Sequence, residues 1–154
     1  MKHSKIFRLF AIIAVAITSF VTLSSFTTPV KTADDEKAEL IKMMVREMKT
    51  ELPIDLGDGF VMTALYTANS NLVMEVTCSE DIVELIRLGF AEISKEEAIE
   101  TFFCSQETML IGKICAEANY GIRCIYLTKS RKNQVEMFFT ASDLNTFLNS
   151  DSME

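Results

Sequence analysis

Only one of the chain's 154 residues is a histidine, and that residue, His3, stands in a basic flank ahead of a long apolar run. If that run is removed as an export signal, no histidine remains. This takes away a histidine general base, the Ser-His and Cys-His nucleophile pairs and the usual zinc clusters. Gly57 and Gly59 are too close together and too isolated to form a phosphate-binding loop. Glu96, Glu97 and Glu100 recur at helical spacing and could act as paired carboxylates. No aromatic or sugar-binding pattern accompanies them, so a solvated helix face is expected. Asp55-x-x-Asp58-Gly59 lacks the alternating oxygens and the later Glu of a calcium loop, and a plain turn is expected there. The sequence therefore points to no metal, no cofactor and no catalytic residue.

Four cysteines, Cys78, Cys104, Cys115 and Cys124, are the remaining reactive groups. In an exported domain they can form disulfides, and four cysteines allow three pairings. On one continuous helix Cys104 and Cys115 would share a face but stand about 16 Å apart. A bridge needs Cα atoms within about 7 Å, so they could join only if the chain turns near Ser105. Cys78 and Cys124 both fall on core faces of expected strands and could pair if those strands are neighbours. Buried thiols are the other reading. No C-x-x-C spacing supports a redox-active thiol.

Contact residues stand out more than catalytic ones. Lys129, Arg131 and Lys132 form the one concentrated positive patch in a chain with 15 Lys and Arg against 22 Asp and Glu. They suit either a solvated loop that blunts a sheet edge or contact with an anionic partner or membrane headgroups, which would weaken with salt. Phe60, Tyr66, Tyr120, Tyr126, Phe138 and Phe139 offer a second candidate surface, with Tyr66, Tyr120 and Phe138 as the expected contact residues. The acidic balance argues against wrapping a nucleic-acid backbone.

These residues must be positioned by one domain. Leu9 to Val21 is uncharged and follows Lys2, Lys5 and Arg8, so residues 1–25 are expected to be a signal peptide. An uncleaved anchor is the alternative, because the apolar stretch approaches the roughly 20 residues that span a bilayer. Residues 26–35 are expected as a linker, 36–150 as a single α+β domain and 151–154 as a tail. Leu40, Ile41, Met44, Val45 and Met48 form the stripe of an N-terminal helix that opens on Asp34, Asp35 and Glu36 and ends before Pro53. Ile54 to Gly59 reads as a turn-rich link. Phe60–Thr67 and Leu72–Cys78 alternate as a hairpin. A run of about three helices follows over 80–118, with Ser79 as a cap and Ser94-x-x-Glu97 as a capping box. Tyr120–Leu127 and Val135–Thr140 make a second hairpin, and Thr140-x-x-Asp143 opens a short C-terminal helix. Two hairpins separated by helices suggest one antiparallel sheet with the helices on one face.

The order of basic signal, linker, amphipathic helix and Glu51-Leu52-Pro53 before a hairpin resembles small exported proteins of unknown function from Gram-negative, Bacteroides-type bacteria. Ile114-Cys115 ahead of Cys124-Ile125-Tyr126 and the closing Thr-x-x-Asp belong to the same likeness. Asp151-Ser152-Met153 also resembles the O-glycosylation signal of such bacteria. The resemblance implies no activity. The reading is an exported, periplasmic or extracellular, non-catalytic binding module that contacts a protein or envelope component, and a membrane only if the signal stays. A histidine-free enzyme using carboxylates or a cysteine, and a signal-anchored structural component of the envelope, are the alternatives.

Overall fold

The structure, a computed structural model, describes residues 33–103 and 106–151. The expected signal peptide, Cys104, and Ser152 and Met153 of the glycosylation-like signal lie outside those residues. Among the described residues the chain forms five helices and one five-stranded sheet, an α+β architecture. The order is α1 (Ala33–Lys49), β1 (Ile54–Gly57), β2 (Phe60–Ala68), β3 (Asn71–Thr77), α2 (Glu80–Glu92), α3 (Lys95–Phe102), α4 (Gln106–Glu117), β4 (Gly121–Leu127), β5 (Gln134–Phe139) and α5 (Ala141–Asp151).

Helix α1 forms where the apolar stripe predicts it, and begins at Ala33, inside the span expected as linker. Ile41, Met44, Val45 and Met48 are buried, and Arg46 and Lys49 occupy its last turn, where cations suit the negative end of the helix. Ser94 and Glu97 complete a reciprocal capping box at α3. Thr140 and Asp143 do the same at α5: the Thr140 amide donates to Asp143 Oδ2 at 2.8 Å, and the Asp143 amide to Thr140 Oγ1 at 3.0 Å. Ser79 holds the cap position of α2, but its side chain makes no capping hydrogen bond, contrary to the expected role.

Two expectations for the sheet need correcting. The link Ile54–Gly57 is a strand, paired antiparallel with β2, because backbone pairing to an edge outweighs the turn character of Asp55 and Gly57. Its turn chemistry survives locally, since Asp55 Oδ1 accepts from the Gly57 amide at 2.9 Å. The sheet is also mixed rather than antiparallel. The strands lie in sequence order, but β3 and β4 run parallel in the register Asn71↔Gly121 to Thr77↔Leu127. Helices α2 to α4 carry the chain back to the end from which β3 started, as a parallel connection requires.

All of this builds one core on one face of the sheet. Met62, Leu65, Leu72, Met74, Val76, Ile122, Cys124, Tyr126, Met137 and Phe139 meet α1 through Ile41, Met44 and Met48, α2 through Val83 and Ile86, and α5 through Leu144. An aromatic cluster closes one end. Phe102 and Phe103 meet edge to face at 4.7 Å, and Phe103 stacks on Phe147 at 5.9 Å. Gly112 is required beside it, because a Cβ there would stand 2.6 Å from the Phe103 ring.

Candidate binding surface

Strand alternation turns the other set of side chains to the opposite face, and the paired registers line these up in rows. One row runs Tyr66, Val73, Arg123 and Phe138 across β2 to β5. The next runs Ala64, Glu75, Ile125 and Glu136, and the third runs Val61, Thr77, Leu127 and Gln134. The described helices build their core on the opposite face, so among the described residues these rows form the open face of the sheet, with Val73, Glu75 and Leu127 buried within it.

In the first row the Arg123 guanidinium lies 5.3 Å from the centre of the Phe138 ring, a cation–π contact. The same guanidinium pairs with Glu136 at 2.7 Å. Phe138 is 38% exposed, one of three large apolar side chains at the surface among the described residues. Gly121 lets the strands close beneath it: an added Cβ would meet Asn71 Oδ1 at 2.4 Å and the Phe139 carbonyl at 2.8 Å.

Glu75 is the hub of the second row. Only 9% exposed, it accepts from the Tyr66 hydroxyl at 3.4 Å and from both terminal nitrogens of Arg131 at 3.3 and 3.4 Å. Burial first, and then the Glu75 carboxylate, raise the Tyr66 phenol above its ordinary pKa. Arg131 reaches Glu75 from a tight turn in which its own amide donates to the Thr128 carbonyl at 2.9 Å. Its φ of 59° lies in the left-handed region, which an L side chain occupies at a cost of about 1–2 kcal/mol.

At the C-terminal ends of the parallel pair the open face drops into a cleft of about 960 Å³. Val61, Thr63, Thr77 and Leu127 line it from the strands, Cys78 and Ser79 from the link after β3, Glu80 from the start of α2, and Thr128 to Arg131 from the β4–β5 loop. Thr63 is there because β2 carries a bulge between Met62 and Ala64. This turns both Thr63 and Ala64 away from the core while Met62 and Leu65 stay buried. Thr63 Oγ1 then meets Thr77 Oγ1 at 3.2 Å. Arg87 and Glu84 of α2 hold the far side of the loop through Asn133 and the Gln134 carbonyl.

The residues picked out from the sequence thus separate. Tyr66, Arg131 and Phe138 share the open face, and Lys129 lines the cleft. Lys132 is exposed in the same loop, outside the cleft lining. Tyr120 packs against the core instead, and Phe60, Tyr126 and Phe139 are buried in it, because their strand positions turn them toward the helices. Glu75, Arg123 and Thr63 were not singled out. A carboxylate in the middle of the apolar strand Leu72–Cys78 was the signal that could have found Glu75.

Cys78, Cys115 and Cys124 are buried free thiols. Desolvation pushes Cys78 up to about 11 and Cys115 and Cys124 up to about 12. A Cys78–Cys124 bridge does not form, because Met74 is the partner of Cys124 and Cys78 lies four residues further on, about 13 Å along the strand. Burial also holds the Tyr126 phenol well above its ordinary pKa, with Cys124 and Cys78 beside it. Among the described residues no group of three or more His, Cys, Asp or Glu side chains could hold a metal ion.

No protein-family model matches the chain, and no curated protein matches its sequence. Its fold is similar to that of the crystal structure of a putative secreted protein from Pseudomonas aeruginosa, with a TM-score of 0.56 at 9% identity. The match covers 75% of this chain and 99% of the other, so the likeness is one of whole-domain fold.

Proposed function

We propose that the protein is an exported, non-catalytic binding module whose contact surface is the open face of the sheet and the cleft at its end. The observation that carries this reading is the row Tyr66–Val73–Arg123–Phe138, where Phe138 is exposed and Tyr66 and Arg123 are half-buried beside a buried Val73, on the face opposite the described helices. Export is supported by the basic and apolar N-terminus and by the secreted character given to the Pseudomonas neighbour. That neighbour is also from a Gram-negative bacterium. The narrower Bacteroides-type affinity rests on Asp151-Ser152-Met153 and is part of the proposal. The compartment is periplasmic or extracellular, and the partner is a protein or another envelope component. Cys78, Cys115 and Cys124 stay protonated near neutral pH, which weighs against a cysteine-based enzyme.

Photo-crosslinking residues placed at positions 63 and 138, with position 88 as the control, test the surface in intact cells. Leu88 is 58% exposed but belongs to the helix layer. Adducts from 63 or 138 and none from 88 are expected. Adducts from 88 alone, or from no position, overturn the reading. Mass spectrometry of the exported protein tests the leader: an N-terminus near residue 25 is expected, and an intact Met1 would mean an anchor.

A further inference from the structure

We infer that the cleft at the C-terminal ends of β3 and β4 is a site for a small amphipathic carboxylate, an apolar chain bearing one anionic head. The inference deepens the binding-module reading by naming a ligand class for one end of the open face. Small-molecule sites typically have volumes of about 300–1,000 Å³, with mostly apolar walls and a few placed polar groups. This cleft, at about 960 Å³, falls within that range. Its walls include Pro53, Val61, Cys78 and Leu127. Burial keeps the Cys78 thiol protonated up to about 11, so it behaves as a small apolar group there.

The cations are gathered on one side, whereas the strand and helix sides offer the uncharged Thr63, Thr77 and Ser79. Lys129, Ser130 and Arg131 come from the loop, with Thr128 at its base. Lys129 has no ion-pair partner among the described residues. Arg131 is paired, but loosely: its contacts to Glu75 are 3.3 and 3.4 Å, whereas charge-assisted bonds usually close to about 2.7–2.9 Å, and its side chain is 64% exposed. Both cations can therefore meet an anion without breaking a tight pair. The chain as a whole carries a formal charge of −7, so anions are repelled elsewhere and a local basic rim is selective. Glu80 is the acidic residue in the lining. It directs the anionic head toward the loop and away from the start of α2. A divalent or polyphosphate ligand fits less well, because apolar wall would be left without a partner.

The proposal can be tested with dodecanoate as the probe, titrated calorimetrically into the full exported protein below its micellar concentration. Dodecanol serves as the neutral chain and acetate as the bare head. Saturable binding of one dodecanoate per chain is expected, with dodecanol at least about fivefold weaker, as loss of one partly exposed ion pair implies, and acetate undetectable. Lys129→Glu, at a side chain with no ion-pair partner among the described residues, should weaken dodecanoate by a similar factor and leave dodecanol unchanged. Equal affinity for dodecanoate and dodecanol, or indifference to Lys129→Glu, overturns the proposal. So does binding only to vesicles that contain anionic lipid. If dodecanoate fails while position 138 still crosslinks, the cleft inference is wrong and the binding-module reading stands. If both fail, the reading of the open face fails with it.

Discussion

The two faces of the sheet are made by the same strands and obey different rules. On β4, Ile122, Cys124 and Tyr126 are completely buried under the helices, while Arg123 and Ile125, one residue away, are only half covered. On β5, Phe139 is sealed in an aromatic cluster, and Phe138 lies at the surface beneath an arginine. Side-chain identity does not decide the outcome, since phenylalanine sits on both faces. The helices decide it, and they leave on the other face a surface of charged and partly solvated contacts. Such contacts contribute little to stability, and the groups that make them remain free to meet another molecule.

The contrast can be broken or sharpened by substitution. Leu65→Ala on the covered face should cost about 2–5 kcal/mol of unfolding free energy in urea, through lost burial and the cavity left behind. A loss below 1 kcal/mol would mean that this face is not closed. Gly121→Ala tests the close approach beneath Phe138. Two of its three near contacts are an Asn71 oxygen and the Phe139 backbone, so a loss of about 1–3 kcal/mol is expected from overpacking.

Acid provides the next test. Burial alone would raise the Asp143 pKa, but hydrogen bonds from Lys95, at 2.6 Å, and from the Thr140 amide and hydroxyl outweigh it and hold the carboxyl below its ordinary value. A folded-state pKa below the unfolded one stabilises the protein above the unfolded value of about 3.9, and that stability is lost as pH falls through the folded value. Unfolding free energies should therefore fall more steeply below about pH 4 in the wild type than in Asp143→Asn. Parallel curves would show that the pair between α3 and α5 contributes nothing. The smallest effect belongs to the open face: Glu136→Gln, which removes the partner of Arg123, should change stability by less than about 1 kcal/mol.

Much of the covered face was legible in the sequence, because burial imposes alternation. The stripe Ile41–Met44–Val45–Met48 and the alternate residues of Leu72–Val76 and Ile122–Tyr126 marked the core directly. Strand β1 was not legible, since Ile54–Gly57 is short, carries Asp and Gly, and is extended only because β2 offers it an edge. The parallel β3–β4 pair was hidden for another reason: two hairpin patterns do not reveal which end of the sheet the intervening helices return to. That same choice of register separated Cys78 from Cys124. On the open face the loop cations and Phe138 could be named from the sequence, but not their convergence. The Glu75 hub depends on Arg131 reaching back 56 residues, and Thr63 enters the cleft through a bulge that no local pattern announces.

The most direct measurement compares adjacent residues, Phe138→Ala and Phe139→Ala, by urea unfolding under identical conditions. Phe139→Ala should lose about 3–5 kcal/mol and Phe138→Ala less than about 1 kcal/mol, as expected if one face is the core and the other is kept for contact. Equal losses would mean that both faces of the sheet are structural, and would contradict the account.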